Sequence, residues 1–387
     1  MNVHIGSNVF DDEIVEIRHR IHQHPELGFE ELRTSDLVAE RLAAWGYEVH
    51  RGLGKTGVVG TLKAGSGTRS IGIRADMDAL PIQETTGLPY ASRRPNTMHA
   101  CGHDGHTAML LGAAKQIAES RKFNGTVHLI FQPAEEGQGG AVQMMKDGLF
   151  RLFPCNAIFA MHNMPGFPEG KLVFRAGPFM ASADRAEIVI KGVGGHGAFP
   201  QKTIDPVVVA ASIVMALQSI VARNIDPQDP AVVTVGAIKA GDAPNVIPPD
   251  ATMSLSIRAL DPAVRKSLRS RITALAKAQA ESYGATAIVN YREGFPVLVN
   301  TEKETAFAAQ VAKELVGEEN VILDPRPLMG SEDFACMLEE LPGCYLLIGN
   351  GDGEGNCMVH NPGFDFNDRC IPIGSAYWTR LVERFLS

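Results

Sequence analysis

Four short apolar runs, Ser70–Ile73, Thr126–Phe131, Ala157–Ala160 and Tyr345–Ile348, are each followed by acidic or histidine side chains. Runs of this length alternating with helical stretches predict an α/β domain built on an open sheet. In such sheets the functional groups gather beyond the carboxyl ends of the strands. The pattern therefore draws together residues remote in sequence. They are Asp76 and Asp78 in RADMDALP, Glu135 and Glu136 in QPAEEG, His162 in MHNMPG, and His360 in GNGDGEGNCMVHNPG.

The stretch His99–Thr107, HACGHDGHT, adds Cys101, His103 and His106, and an apolar helical run from Ala108 to Ile117 follows it. A thiolate and imidazoles at this density are ligands for a metal of the zinc type. A helix N-terminus carries partial positive charge, so the sequence predicts that Cys101 is biased toward thiolate even without metal. Taken alone, the motif is also compatible with a helix that happens to begin with several histidines. His22 and His24 form a second candidate pair in HQHPELGFEE. Pro25 interrupts the helix there, and the segment reads as a structural connector.

Residues 185–292 follow a different rule. Arg185–Gly192, Ala231–Ile238, Ala251–Arg258 and Ala285–Tyr291 read as strands, and two helices open at Asp205–Pro206 and Asp261–Pro262. In each pair Asp serves as N-cap and Pro takes the first helical position. The order βαββαβ predicts a ferredoxin-like α+β unit with a four-stranded antiparallel sheet. Because His360 must return to the first half's site, the expected layout is a discontinuous catalytic domain, 1–180 and 294–387, with a lid at 181–293. A chain of 387 residues is long for one core, which agrees with two domains.

Lys plus Arg total 36 and Asp plus Glu 44, a formal charge of −8 with no basic stripe, so nucleic acid is not an expected partner. The N-terminal MNVHIGSNVFDDE has no basic start and no apolar core of signal-peptide length. The apolar stretch Val207–Leu217 falls short of the ~20 residues that span a bilayer. No membrane partner and a cytoplasmic location are the expectations. Six cysteines in so long a chain do not read as a disulfide framework.

Adjacent carboxylates at Glu135 and Glu136 can divide labour, one binding metal while the other handles a proton, as metal-assisted hydrolysis requires. Five ligands of Cys, His and Glu type suit two neighbouring divalent ions better than one. Asp78 can orient a ligand imidazole or cap a turn. In the lid, His196 on Gly194–Gly197 is placed to act as an oxyanion donor or is part of a mobile surface loop. Asn245 and Arg258 flank a strand pair, and Arg258 is either a carboxylate clamp or a surface charge. Two other readings stay open: Cys101 as a nucleophile with His103 as base, and a metal- or acyl-amino-acid-binding protein without turnover.

RADMDALPIQE, MHACGHDGHT, PAEEG, MHN, GGHGAFP, NVIPP and MVHNPGFDFND occur in the order seen in the M20 metallopeptidase family. More narrowly, the chain resembles that family's amidohydrolase branch of hippurate hydrolases, aminoacylases and auxin-conjugate hydrolases. The resemblance implies a metal-dependent exopeptidase-like catalytic domain with a central mixed sheet, a lid that forms a homodimer, and two divalent ions. Zinc or manganese is the expected metal, with cobalt and nickel as further candidates. By the same resemblance Cys101 is shared between the ions, and His103, Glu136, His162 and His360 complete the ligands. Glu135 is the general base, Asp78 the orienting aspartate, and His196, Asn245 and Arg258 contact substrate. The expected reaction is hydrolysis of N-acyl amino acids, with exopeptidase or deacetylase activity as the alternatives. Where the wider family has a bridging Asp and an early His, this chain has Cys101 and Asp76. Gln201 stands where many close relatives carry His.

Overall fold

A computed structural model describes residues 8–353 and 357–387. It divides into two compact units: residues up to Gly177 with Val299–Arg326 and Asp333–Ser387 form one, and Pro178–Leu298 with Pro327–Glu332 form the other.

The first unit is organised by an eight-stranded mixed sheet in the order Glu48–Leu53, Gly57–Ala64, Gly125–Gln132, Ser70–Asp76, Ala157–Pro165, Gly343–Gly351, Leu172–Phe174, Val321–Leu323. The four middle strands of this order, Gly125–Gln132 through Gly343–Gly351, run parallel. Their residues are buried almost throughout, as expected where both faces of a sheet are covered. Helices Asn8–Gln23, Leu32–Ala44 and Cys370–Phe385 pack around helix His103–Ser120, whose Ala108, Leu110, Leu111 and Ala114 are fully buried. The helices Glu302–Val316 and Cys370–Phe385 and the short strands Leu172–Phe174 and Val321–Leu323 were not marked by the site motifs.

The second unit has the antiparallel sheet order Ala231–Lys239, Asp250–Ala259, Ala183–Lys191, Thr286–Phe295, the ferredoxin-like order 2-3-1-4. Both helices start as the sequence predicts. Asp205 accepts from Val207 N–H at 2.8 Å, and Asp261 from Ala263 and Val264 at 2.7 and 2.9 Å. Pro327–Glu332 joins this unit because Ala181 N–H donates to the carbonyls of Leu328 (3.1 Å) and Gly330 (2.9 Å). Helix Pro206–Asn224 is longer than the apolar run in its sequence. Among the described residues it alone is long and apolar enough, by length and composition, to cross a membrane. Its Val209, Ile213, Leu217 and Ile220 are buried in the unit's own core.

Candidate metal centre

The parallel strands deliver their carboxyl ends to one edge of the sheet, and the candidates emerge there in spatial order. Glu135 and Glu136 follow Gln132, Asp78 follows Asp76, His162 lies within Ala157–Pro165, and His360 follows Gly351. Helix His103–Ser120 begins at the same edge. It is preceded by Gly102 at φ 90°, where a Cβ would stand 2.2 Å from Asn163 Nδ2. Only glycine admits that approach, and Asn163 Nδ2 uses it to donate to the Cys101 carbonyl at 2.7 Å. His360 is tied in from the far end of the chain, its N–H donating to the Ala100 carbonyl at 2.7 Å.

Among the described residues five groups of ligand atoms lie within 4.8 Å of one another, and three of them join the predicted ligands: Cys101, His103 and His162; Cys101, Glu136 and His360; and His103, Glu135 and Glu136. The other two are Asp76, His103 and His106, and Glu135, Glu332 and Asp333. Cys101 Sγ lies 3.3 Å from His162 Nε2, and His360 Nε2 lies 3.1 Å from Glu136 Oε1. Cys101 belongs to two groups, so the structure brings all five sequence-predicted ligands together around a shared sulfur.

The imidazoles are oriented by their other nitrogens. His103 Nδ1 is 3.2 Å from Asp78 Oδ1, and His162 Nδ1 meets the Asn163 carbonyl, so each turns Nε2 toward the cluster. Asp78 Oδ2 also accepts from Glu136 N–H at 2.9 Å, which ties two candidate ligands to one carboxylate. His106 has no such free nitrogen. Its Nδ1 is 2.6 Å from Asp76 Oδ1, and its Nε2 accepts from Asn163 N–H at 2.9 Å.

The electrostatics favour added positive charge. Burial, reinforced by Glu136, Glu135 and Asp76, raises the Cys101 thiol well above its ordinary value. The helix N-terminus therefore does not prepare a free thiolate, contrary to the expectation from sequence. Burial alone would depress His103, yet Asp76 and Asp78 lift its imidazole to about 10. His162 is held well below the usual histidine range by burial and by His106. Buried His103 Nε2 makes no hydrogen bond. A buried thiol, imidazole nitrogens turned toward it and clustered carboxylates form a donor set that fits divalent ions of the zinc type.

Of the charged network beneath the site only the stretch GSEDF, which resembles an M20 family motif, stood out in the sequence. Buried Arg74 donates to Asp76 Oδ2 (2.8 Å), Asp333 Oδ1 (3.1 Å) and Gln132 Oε1 (2.8 Å). Asp333, in GSEDF, is further fixed by Gln132 Nε2 and Ala141 N–H, and its own N–H donates to Glu135 Oε1 at 3.4 Å. An Arg two residues before Asp76, inside an apolar strand, was the available signal. His22 lies in a separate buried network, its Nδ1 2.8 Å from Asp104 Oδ2, which Arg18 also contacts at 2.8 Å. His22 and His24 occur in none of the ligand groups.

The remaining candidates belong to the second unit. His196 pairs with Val246, and Gly197 N–H donates to the Asn245 carbonyl at 2.8 Å, so His196 and Asn245 share one short ladder. Exposed His196 accepts from Ala198 N–H through Nδ1 at 3.1 Å, which leaves the proton of the neutral ring on Nε2 as a free donor. Arg258 is half-buried. It donates to the Ile257 carbonyl at 3.1 Å and makes no ion pair among the described residues.

The model of the peptidase family M20/M25/M40 matches residues 72–384. The chain is 47% identical to the hippurate hydrolase of Campylobacter jejuni over 374 residues, covering 97% of each chain. It is 42% identical to IAA-amino acid hydrolase ILR1-like 2 of Arabidopsis thaliana, over 97% of this chain and 85% of that one. Among solved structures it resembles a dinuclear metal binding M20 peptidase of Bacillus subtilis. The TM-score is 0.86 and the identity 34%, over 98% of this chain and 99% of that one.

Proposed function

The chain belongs to the peptidase family M20/M25/M40, a hydrolase family, and on that premise we propose that it hydrolyses the amide bond of N-acyl amino acids. Similarity to hippurate and IAA-amino acid hydrolases supports this substrate class. The observation that carries the mechanism is the difference in further partners of two successive carboxylates that share a group with His103. Glu136 joins Cys101 and His360, while Glu135 also accepts a hydrogen bond from Asp333 N–H.

The ligands would be Cys101, His103, Glu136, His162 and His360, holding two divalent ions, with zinc or manganese favoured by the mixed thiolate, imidazole and carboxylate donors. Bound ions supply Lewis acidity that polarises the scissile carbonyl and makes water acidic near neutral pH. Glu135 takes a proton from the attacking water as its oxygen bonds to the carbonyl carbon. It then delivers that proton to the leaving nitrogen as the C–N bond breaks, releasing carboxylate and amine. Asp78 holds His103 and the Glu136 backbone in place. His196 donates through Nε2 to the developing oxyanion, and Asn245 and Arg258 bind the substrate's carboxylate. A cytoplasmic homodimer formed through the second unit belongs to the same proposal, and light scattering and cell fractionation test it.

Glu135→Gln tests the central assignment, with hippurate as substrate and metal content measured in parallel. The expected result is a fall in turnover of at least ~100-fold with two ions per chain retained, the scale of general-base catalysis. Near-normal turnover removes Glu135 as base, and loss of an ion makes it a ligand instead.

A further inference from the structure

The segment Glu26–Glu31, part of the HQHPELGFEE stretch that reads as a connector, packs behind two loops of the candidate site. Leu27 forms a parallel bridge with Ala79, and Ala79 N–H donates to the Glu26 carbonyl at 2.8 Å, one residue beyond Asp78. Fully buried Glu31 reaches the other loop. Its Oε1 accepts from Ala134 N–H at 2.9 Å, one residue before Glu135, and its Oε2 accepts from Thr56 Oγ1 at 2.6 Å.

The backbone around this clasp is held in conformations that side chains other than glycine rarely adopt. Phe29 (φ 65°), Lys55 (φ 68°) and Ala134 (φ 53°) are left-handed, and they precede Glu31, Thr56 and Glu135 by two, one and one residues. Gly28 lets the segment approach closely, since a Cβ there would stand 3.0 Å from both Ala134 Cα and Cβ. Strained residues of this kind persist where surrounding contacts over-determine them, and they cluster at functional sites. The carboxylate of Glu31 supplies such a contact at the turn that sets the direction of Glu135.

We propose that Glu31 is a positioning residue for the reaction: by clamping Ala134 N–H against the Thr56 turn, it fixes the orientation from which Glu135 moves protons. Asp333 N–H holds the Glu135 carboxylate at its other end. The inference rests on the assignment of Glu135 as base. Glu31 itself is in none of the ligand groups, and metal content measured beside turnover separates its role from metal binding.

The test uses the full-length, metal-loaded protein with hippurate as substrate. Glu31→Ala should lower kcat about tenfold or more, the scale of a misplaced catalytic group, with KM within about twofold and two ions retained. Glu31→Gln keeps an amide oxygen for Ala134 N–H and should recover kcat to within about threefold of the parent. Folded Glu31→Ala protein with unchanged kcat, or a Gln variant no better than the Ala variant, overturns the proposal. If Glu31→Ala does not fold, Thr56→Val decides. Losing the bond to Oε2 should lower kcat about two- to fivefold at unchanged KM, and unchanged kcat overturns the assignment. Glu135→Gln assayed alongside keeps the two readings apart. Normal turnover in that variant removes the base itself, whereas its collapse beside a normal Glu31→Ala variant removes only the clamp.

Discussion

His103 Nδ1 and Asp78 Oδ1 stand 3.2 Å apart, and the same aspartate accepts from Glu136 N–H through its second oxygen at 2.9 Å. One carboxylate thus sets the ring of one candidate ligand and the backbone of another. Replacing Asp78 with Ala should weaken metal binding or activity about 10- to 100-fold, the usual cost of losing an orienting partner. Calorimetric metal titration of the chelator-treated protein measures it. Unchanged affinity and turnover would show that the aspartate only caps its turn.

His106 makes the contrasting prediction. Both its nitrogens are engaged, by Asp76 and by Asn163, so His106→Ala should retain two ions per chain. It should also lower stability by about 1–3 kcal/mol, because Asp76 Oδ1 and the buried Asn163 N–H each lose a partner. Metal analysis with urea unfolding of the loaded protein reads both, and loss of an ion would make His106 a ligand.

Arg258 makes no ion pair among the described residues. If it holds the substrate's carboxylate, Arg258→Ala should raise KM for hippurate about 10- to 100-fold, the range of a charge-assisted hydrogen bond. An N-acyl substrate lacking the carboxylate should be hydrolysed equally well by parent and variant. Equal KM values for hippurate would assign the arginine to the surface.

Buried His128, on strand Gly125–Gln132 with Nδ1 2.9 Å from Thr61 Oγ1, is pushed down to about 4 by burial. The unfolded chain, with an ordinary value near 6.5, takes up a proton that the folded chain refuses. Its contribution to stability is therefore fully present above pH ~6.5 and is lost as pH falls toward ~4. Urea unfolding of parent and His128→Gln at pH 7.5 and pH 5 should show a smaller acid loss in the variant. Equal losses would mean that His128 does not shape the acid limb.

The sheet-edge residues were legible because each side chain stands just after an apolar run. A strand and its first loop residues reveal their direction without any long-range information. The same logic named Asp205 and Asp261 as caps, since a cap is a local matter. What stayed hidden depends on packing. Arg74 and Asp333 meet across 259 residues, and neither lies in a spacing pattern that announces the other. Glu31 looked like one charge among several in HPELGFEE until its burial against Ala134 was visible. The thiol of Cys101 was misjudged for a related reason: helix polarity can be read from sequence, but the surrounding carboxylates cannot.

The sheet order carries a consequence for biosynthesis. Strand Gly343–Gly351 lies beside Ala157–Pro165, and helix Cys370–Phe385 packs on His103–Ser120, so early segments wait for late ones. The second unit pairs strands within a stretch of about 110 residues and can complete its sheet while the rest is still being translated. The hydrolase site cannot. A nascent chain that has exposed Cys101 and His103 lacks His360 and the covering helix until residues 343–385 emerge from the ribosome. Catalysis thus begins only after residues 343–385 are made, and for that interval the cysteine is open to oxidation and to stray metals.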